Sequence, residues 1–296
     1  MSTVETPLRI RLENILFATD FSTQSERALQ FALAFAKQHS AKIIVVHAAP
    51  PEPHYAVPME PIPLEFDPML RESKQQMQEL AANPRLHAVS HECIVEQGDL
   101  WNVVDADLAK YRTDILVLAT HGRHGVSKVV FGSDAESIFR RANCPVLTVG
   151  PQVGFIDEQS WQPKKIIFAT DFSNHSRHAL PYALYFAEQH EAQLTLLHLS
   201  TLIPLEIGDD MEATLLGRLR ELVPPEAAVS CKVQFMVRFE FPAEGILRVA
   251  EDSGADLIVM SVRRSALAAA ASHLPWAIAS EVVSRARCPV LTVRGG

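Results

Sequence analysis

The segment Ala119-Thr120-His121-Gly122-Arg123-His124-Gly125-Val126-Ser127-Lys128-Val129-Val130-Phe131-Gly132-Ser133 holds the residues of this chain best suited to grip a ligand. Gly122 and Gly125 let the backbone approach a phosphate, and Gly132-Ser133 opens a predicted helix. A helix start offers unpaired N–H groups and a favourable dipole to an anion. Arg123, His124 and Lys128 add positive charge. The same residues also read as plain structure, because Ser133 with Glu136 forms a capping box and glycine-bearing loops are common. The spacing is not that of a Walker loop, since no glycine-lysine-serine or glycine-lysine-threonine triplet occurs.

Other chemical candidates are weaker. His121 and His124 stand close together but lack cysteine or carboxylate neighbours at metal-ligand spacing, and His175 with His178 is a similarly faint signal. His47 and His198 occupy matched places at predicted strand ends, which reads as a structural role. Asp20 and Asp171 are matched too, so part of the aspartate's work is expected to be capping the adjoining turn. No elbow motif or local spacing suggests a nucleophilic triad.

These residues are positioned by alternating short apolar strands and helical patterns. Strands are predicted near 14–19, 42–48, 88–95, 114–119 and 145–149, with helices near 23–39, 67–82, 100–111 and 133–142. The first helix follows Ser22 or Thr23 as N-cap and places Ala28, Phe31, Ala32, Phe35 and Ala36 on one face. Runs such as Ile43-Ile44-Val45-Val46 and Ile115-Leu116-Val117-Leu118 are apolar throughout, as parallel strands buried on both faces should be. Five such strands with crossover helices give a doubly wound open sheet. In that sheet ligands bind beyond the C-terminal strand ends, where Asp20, Ala48 and the loop from Thr120 to Ser133 would meet.

The whole pattern occurs twice. Ile15-Leu16-Phe17-Ala18-Thr19-Asp20-Phe21-Ser22 returns as Ile166-Ile167-Phe168-Ala169-Thr170-Asp171-Phe172-Ser173. Cys144-Pro145-Val146-Leu147-Thr148-Val149 returns unchanged at Cys288 to Val293, and Thr113-Asp114-Ile115-Leu116-Val117 matches Ala255-Asp256-Leu257-Ile258-Val259. A period of about 140 to 150 residues means duplicated domains and not a solenoid. The domains are placed at 1–152 and 163–296, with a linker near Gly150 to Pro163. The second copy is predicted to have strands near 165–170, 193–199, 229–238, 256–261 and 289–293, and its second helix near 209–222. Its loop differs: Ser261-Val262-Arg263-Arg264 lacks the glycines, and Trp276 and Ala277 stand where Gly132 and Ser133 stand in the first. A degenerate second site is the reading.

Composition narrows the partners. Hydrophobic residues make up 48% of the 296 and charged ones 21%, a globular balance that supports two cores. With 35 acidic against 27 basic side chains the net charge is −8, which argues against holding nucleic acid or acidic lipid by charge. The stretch Met1 to Pro7 lacks the pattern of a secretory leader, and no apolar run reaches membrane-spanning length. The four cysteines, Cys93, Cys144, Cys231 and Cys288, form no CxxC pair and read as reduced thiols of a cytoplasmic protein.

The Ala-Thr-Asp-Phe-Ser strand end, the Thr-His-Gly-Arg-His-Gly loop, Gly-Ser before the last helix and Cys-Pro-Val-Leu-Thr-Val together resemble the universal stress protein family. The likeness covers nearly the whole chain, as a tandem member. It implies an α/β fold of two tandem Rossmann-like domains, of the adenine nucleotide alpha hydrolase-like type, each a five-stranded parallel open sheet with flanking helices. The family's ATP-binding members carry glycine, two residues, glycine, nine residues, then glycine and serine or threonine. Those positions are Ala119, Gly122, Gly132 and Ser133 here, so the first glycine is alanine. By this resemblance Thr19, Asp20 and Ala48 line the adenosine side, while Gly122, Arg123, Gly125, Gly132, Ser133 and Asp134 approach ribose and phosphates. The implied ligand is ATP or a related adenine nucleotide, with magnesium or manganese beside the phosphates and at most slow hydrolysis. The resemblance also implies pairing of the two halves through their last strands within one chain, and leaves open a homodimer of such chains. The rival reading is a non-nucleotide-binding stress protein that acts by protein contacts only.

Overall fold

The computed structural model of the chain describes residues 10–50, 68–120, 138, 141–201, 210–225, 231–262 and 275–295. These divide into two compact units, one drawn chiefly from Leu12–Trp161 and the other chiefly from Gln162–Val282.

In the first unit the strands are β1 (Asn14–Ala18), β2 (Lys42–Ala49), β3 (His91–Gln97), β4 (Ile115–Ala119) and β5 (Val146–Val149). They lie in the order β3-β2-β1-β4-β5, and every neighbouring pair is parallel. Ile43, Ile44, Val45 and Val46 are fully buried, as are Ile115, Leu116 and Val117. Helices cover both faces of such a sheet, which is why these strands read as continuous apolar runs. The helices are α1 (Thr23–His39), α2 (Pro68–Ala81), the single turn α3 (Pro84–His87) and α4 (Leu100–Lys110). Positions 138 and 141, within the last helix expected in this half, are helical as well.

The second unit repeats the plan. Its strands β6 (Lys165–Thr170), β7 (Gln193–Ser200), β8 (Lys232–Phe239), β9 (Leu257–Val262) and β10 (Val290–Arg294) run in the order β8-β7-β6-β9-β10. The pairs β6–β7, β6–β9 and β7–β8 are parallel. Its helices are α5 (Asn174–Gln189), α6 (Asp210–Leu222), α7 (Pro242–Ser253) and α8 (Pro275–Arg285).

The matched aspartates before β4 and β9 have a shared structural task. Asp114 Oδ2 accepts the backbone N–H groups of Glu13 and Asn14 at 2.8 and 2.9 Å. Asp256 Oδ2 does the same for Lys164 and Lys165, both at 2.9 Å. Each carboxylate therefore clamps the entry to the first strand of its own domain, with charge-assisted bonds to backbone donors.

Two readings need correction. The third strand begins at His91 and not at 88, because Asn83 caps α3 by accepting the Arg85 N–H at 3.0 Å and Pro84 sits in its first turn. The segment expected as a plain linker is, through Trp161, packed along α1. Arg27 donates to the carbonyls of Pro151 and Val153, both at 3.2 Å, and Gln30 Oε1 accepts the Ile156 N–H at 2.9 Å. Trp161 meets Phe31 and Phe35 edge-on, with centroids 5.0 and 5.6 Å apart, and its carbonyl accepts from Gln38 at 2.7 Å. Glu158 is buried beside Lys37 and Arg85 at 3.6 and 3.8 Å. α1 is buried beyond its expected face: Gln30, Leu33 and Ala34 are buried along with Ala28, Phe31, Ala32, Phe35 and Ala36, and the strap covers Gln30.

Candidate functional site

The site expected at the C-terminal end of β1 is built by a turn of short polar side chains. The Thr19 N–H donates to Val46 O at 2.9 Å, which prolongs the β1–β2 ladder by one residue. The chain then reverses through Phe21 at φ 61°, in the left-handed region that non-glycine residues enter at a cost. Three side chains offset that cost. Thr19 Oγ1 accepts the Phe21 N–H at 3.0 Å, Asp20 Oδ1 accepts the Ser22 N–H at 3.0 Å, and Ser22 Oγ caps α1 by accepting the Ser25 N–H at 3.1 Å. The buried Ser25 hydroxyl also makes a short hydrogen bond to Asp20 Oδ1.

His47, one residue short of Ala48 on β2, locks the turn from below. Its Nδ1 lies 2.8 Å from Thr19 O and its Nε2 3.2 Å from Ser73 Oγ of α2. A carbonyl only accepts, so Nδ1 carries a proton, and in the neutral ring Nε2 accepts from the serine hydroxyl. The Phe21 ring sits 4.5 Å from the imidazole, centroid to centroid.

The second domain has the same turn. Phe172 is also at φ 61°, Thr170 Oγ1 accepts its N–H at 3.1 Å, and Asp171 Oδ1 accepts the Ser173 N–H at 2.9 Å. His198 Nδ1 lies 2.9 Å from Thr170 O, with its ring 4.3 Å from Phe172. Two details differ. Ser176 Oγ donates to Ser173 O at 2.8 Å and lies 2.9 Å from Thr170 Oγ1, where Ser25 turns to the aspartate. Arg218 of α6 lies over Phe172, 4.1 Å from the ring centroid. Burial pushes the His198 pKa below its ordinary value; the hydrogen bond to Thr170 O works against this, while the Arg218 charge adds to it. Asp20, Asp171, His47 and His198 therefore share a structural role at the turn.

In the first domain the turn adjoins a cleft, and a second loop starts nearby at Thr120. Since β1 lies between β2 and β4, the ends of all three strands meet at one edge, bringing Thr19, Asp20 and Ala48 close to the residue that starts the glycine loop. That residue, Thr120, donates its N–H to Val149 O at 3.3 Å. Gly122, Arg123, Gly125, Gly132, Ser133 and Asp134 lie outside the described residues, as do Arg263 and Arg264 of the second loop. Beside the turn, between α1 and α2, is a cleft of about 300 Å³ lined by Phe17, Thr19, Phe21, Leu29, Gln76 and Leu80. Nothing in the spacing of α2 pointed to Gln76 as a wall of that cleft. Among the described residues no three His, Cys, Asp or Glu side chains are grouped to hold a metal, and no helix is long and apolar enough to cross a membrane.

A duplicated doubly wound sheet with this strand-end turn defines the class of protein. The model of the universal stress protein family matches residues 11–150 and again 163–294, so the chain belongs to that family as a tandem two-domain member. It is similar to a universal stress protein of Thermus aquaticus, 28% identical over 143 residues, which is 46% of this chain and 98% of the relative. A universal stress protein of Methanocaldococcus jannaschii is 25% identical over 138 residues, 46% of this chain and 81% of its own. The crystal structure of a universal stress protein from Archaeoglobus fulgidus shares the fold across both domains. Its TM-score is 0.68 at 21% identity, over 96% of this chain and 98% of that one.

Proposed function

We propose that the first domain binds ATP or a related adenine nucleotide and that occupancy alters assembly or partner binding. The observation that supports this reading is the edge where β1, β2 and β4 end together. It presents Thr19, Asp20 and Ala48 at the sheet position where doubly wound folds take nucleotides, with the glycine loop leaving from Thr120. In this reading Thr19, Asp20 and Ala48 line the adenosine side. Gly122, Arg123, Gly125, Gly132, Ser133 and Asp134 face ribose and phosphates, with magnesium or manganese accompanying the phosphates.

The described part of the site is a binding edge more than a reaction centre. The Asp20 carboxylate secures Ser22 and Ser25, and both His47 nitrogens are engaged by Thr19 O and Ser73 Oγ. In this reading neither serves as a general base for water, and the expected role of the site is to bind rather than to hydrolyse. The alternative, action by protein contacts only, is favoured by Ala119 at the first glycine position and by the second domain's loss of the loop.

Calorimetric titration of nucleotide-stripped protein with ATP and magnesium separates the two. One site per chain, abolished by Gly132→Leu without loss of fold and untouched by Trp276→Leu, is the outcome of nucleotide binding in the first domain. An isotherm with no heat of binding gives the chain to the protein-contact reading.

A further inference from the structure

Residues 151–162 fall between the two stretches matched by the family model, yet up to Trp161 they are docked as part of the first domain. Their anchors on α1 are Arg27, Gln30, Phe31, Phe35, Lys37 and Gln38. Spacings of three and four residues bring most of these together along one side of the helix, where the strap lies. The same helix begins at the ligand turn. Ser22 is its N-cap, and Ser25 in its first turn bonds Asp20. Only one residue separates Ser25 from Arg27, the first strap anchor. One stiff element thus carries the turn at its head and the strap along its length.

We propose that docking of the strap, residues 151–161, and ligand binding at the Asp20 turn are thermodynamically coupled through α1; this rests on the nucleotide reading above. A ligand that engages Asp20 acts on the carboxylate that holds Ser22 and Ser25, and so sets the position of the α1 N-terminus. The strap grips the same helix through Trp161 and the buried Glu158 between Lys37 and Arg85. Docked and undocked strap are the two states, and the ligand favours the docked one. Since the strap runs directly into the second domain at Gln162, its docking equilibrium transmits occupancy along the chain. Linkage makes the effect reciprocal: whatever loosens the strap weakens the ligand, and the ligand tightens the strap by the same factor.

The test uses the full chain with two readouts. ATP affinity is measured by calorimetry for the wild type and for Trp161→Ala, and amide hydrogen exchange is followed at Ile156, whose N–H donates to Gln30. The expected result is a loss of affinity of about fivefold or more in Trp161→Ala, and slower Ile156 exchange when ATP is added to the wild type. Gln30→Ala removes a strap contact without opening the aromatic cluster, and serves if Trp161→Ala fails to fold. Asp256→Ala, which loosens only the second domain's strand clamp, should leave affinity unchanged and so excludes a general loss of stability. Equal ATP affinity in the wild type and the strap variants overturns the coupling and leaves nucleotide binding standing. No ATP binding by the wild type overturns both.

Discussion

Asp20→Ala and Asp171→Ala, made separately, divide the work of the turn from the work of a ligand. Each removes an acceptor that holds a serine N–H, at 3.0 Å in the first domain and 2.9 Å in the second. A single such bond is worth about 1 kcal/mol net. Asp171 is exposed, which lowers the expected cost there to roughly 0.5–1 kcal/mol. Asp20 also accepts from the hydroxyl of buried Ser25, so its loss should cost about 1–2 kcal/mol. At about 2–4 °C per kcal/mol, both changes are visible in thermal melts, and urea midpoints should move with them. Calorimetry with ATP then separates the two. Removing a carboxylate that bonds the ligand costs about 1.5–3 kcal/mol, or at least about tenfold in affinity, and only Asp20→Ala should show it. A neutral Asp171→Ala would refute the structural role of the turn. Full ATP affinity in a folded Asp20→Ala would show that this aspartate serves the turn alone.

Three further outcomes follow from charge and burial. Asp107 is buried, its Oδ2 lacks a hydrogen-bond partner among the described residues, and burial with the nearby Glu96 charge raises its pKa. Its charged form is therefore a cost, which grows as pH rises past the ordinary carboxylate range. Asp107→Asn should stabilise the chain at neutral pH by about 1 kcal/mol in urea melts; a loss would mean that Lys110, 3.9 Å away, outweighs the burial. His39 and His198 have lowered pKa values, burial being the main cause in each. The unfolded chain then takes up protons first as pH falls below about 6.5. Stability should drop between pH 7.5 and 5.5, and His198→Gln should flatten that slope; an unchanged slope would place the acid sensitivity elsewhere. Burial pushes the Cys144 thiol up to about 12, leaving almost no thiolate at neutral pH. The residue is half-buried, so the raised pKa is what should slow its reaction with iodoacetamide until denaturant is added, and prompt labelling of the native chain would contradict that shift.

Much of the first domain was legible in its residues, and the exceptions have physical causes. Ser22 announced α1 because a short hydroxyl before an apolar stripe is what a helix start needs, and Ser22 Oγ does bond the Ser25 N–H. The apolar runs at 43–46 and 115–118 announced buried parallel strands for the same kind of reason. The duplication itself exposed the role of Asp20 and His47, since their counterparts Asp171 and His198 make the same bonds in a half whose glycine loop is lost. The short α3 was missed although Asn83-Pro84 is a cap followed by a residue suited to a first turn, because one turn has no periodicity to detect. Pro151, Gly154 and a run of polar residues hid the strap. Its real signals were Val153, Ile156 and Trp161, apolar residues too widely spaced for either helix or strand. The far wall of the cleft at Gln76 depends on how α2 packs, which no local pattern encodes.

The docked strap decides where this protein can be cut. A fragment that stops at Gly150, where the first family match ends, would leave Phe31 and Phe35 without Trp161, and Lys37 and Arg85 without Glu158. Such a piece would uncover Phe31 and Phe35 on α1 and would tend to associate through them. A fragment carried on to Gln162 keeps its own cover. The boundary that sequence similarity draws and the boundary at which the first domain is physically finished therefore differ by about one strap's length. Any separate study of the halves depends on choosing the second.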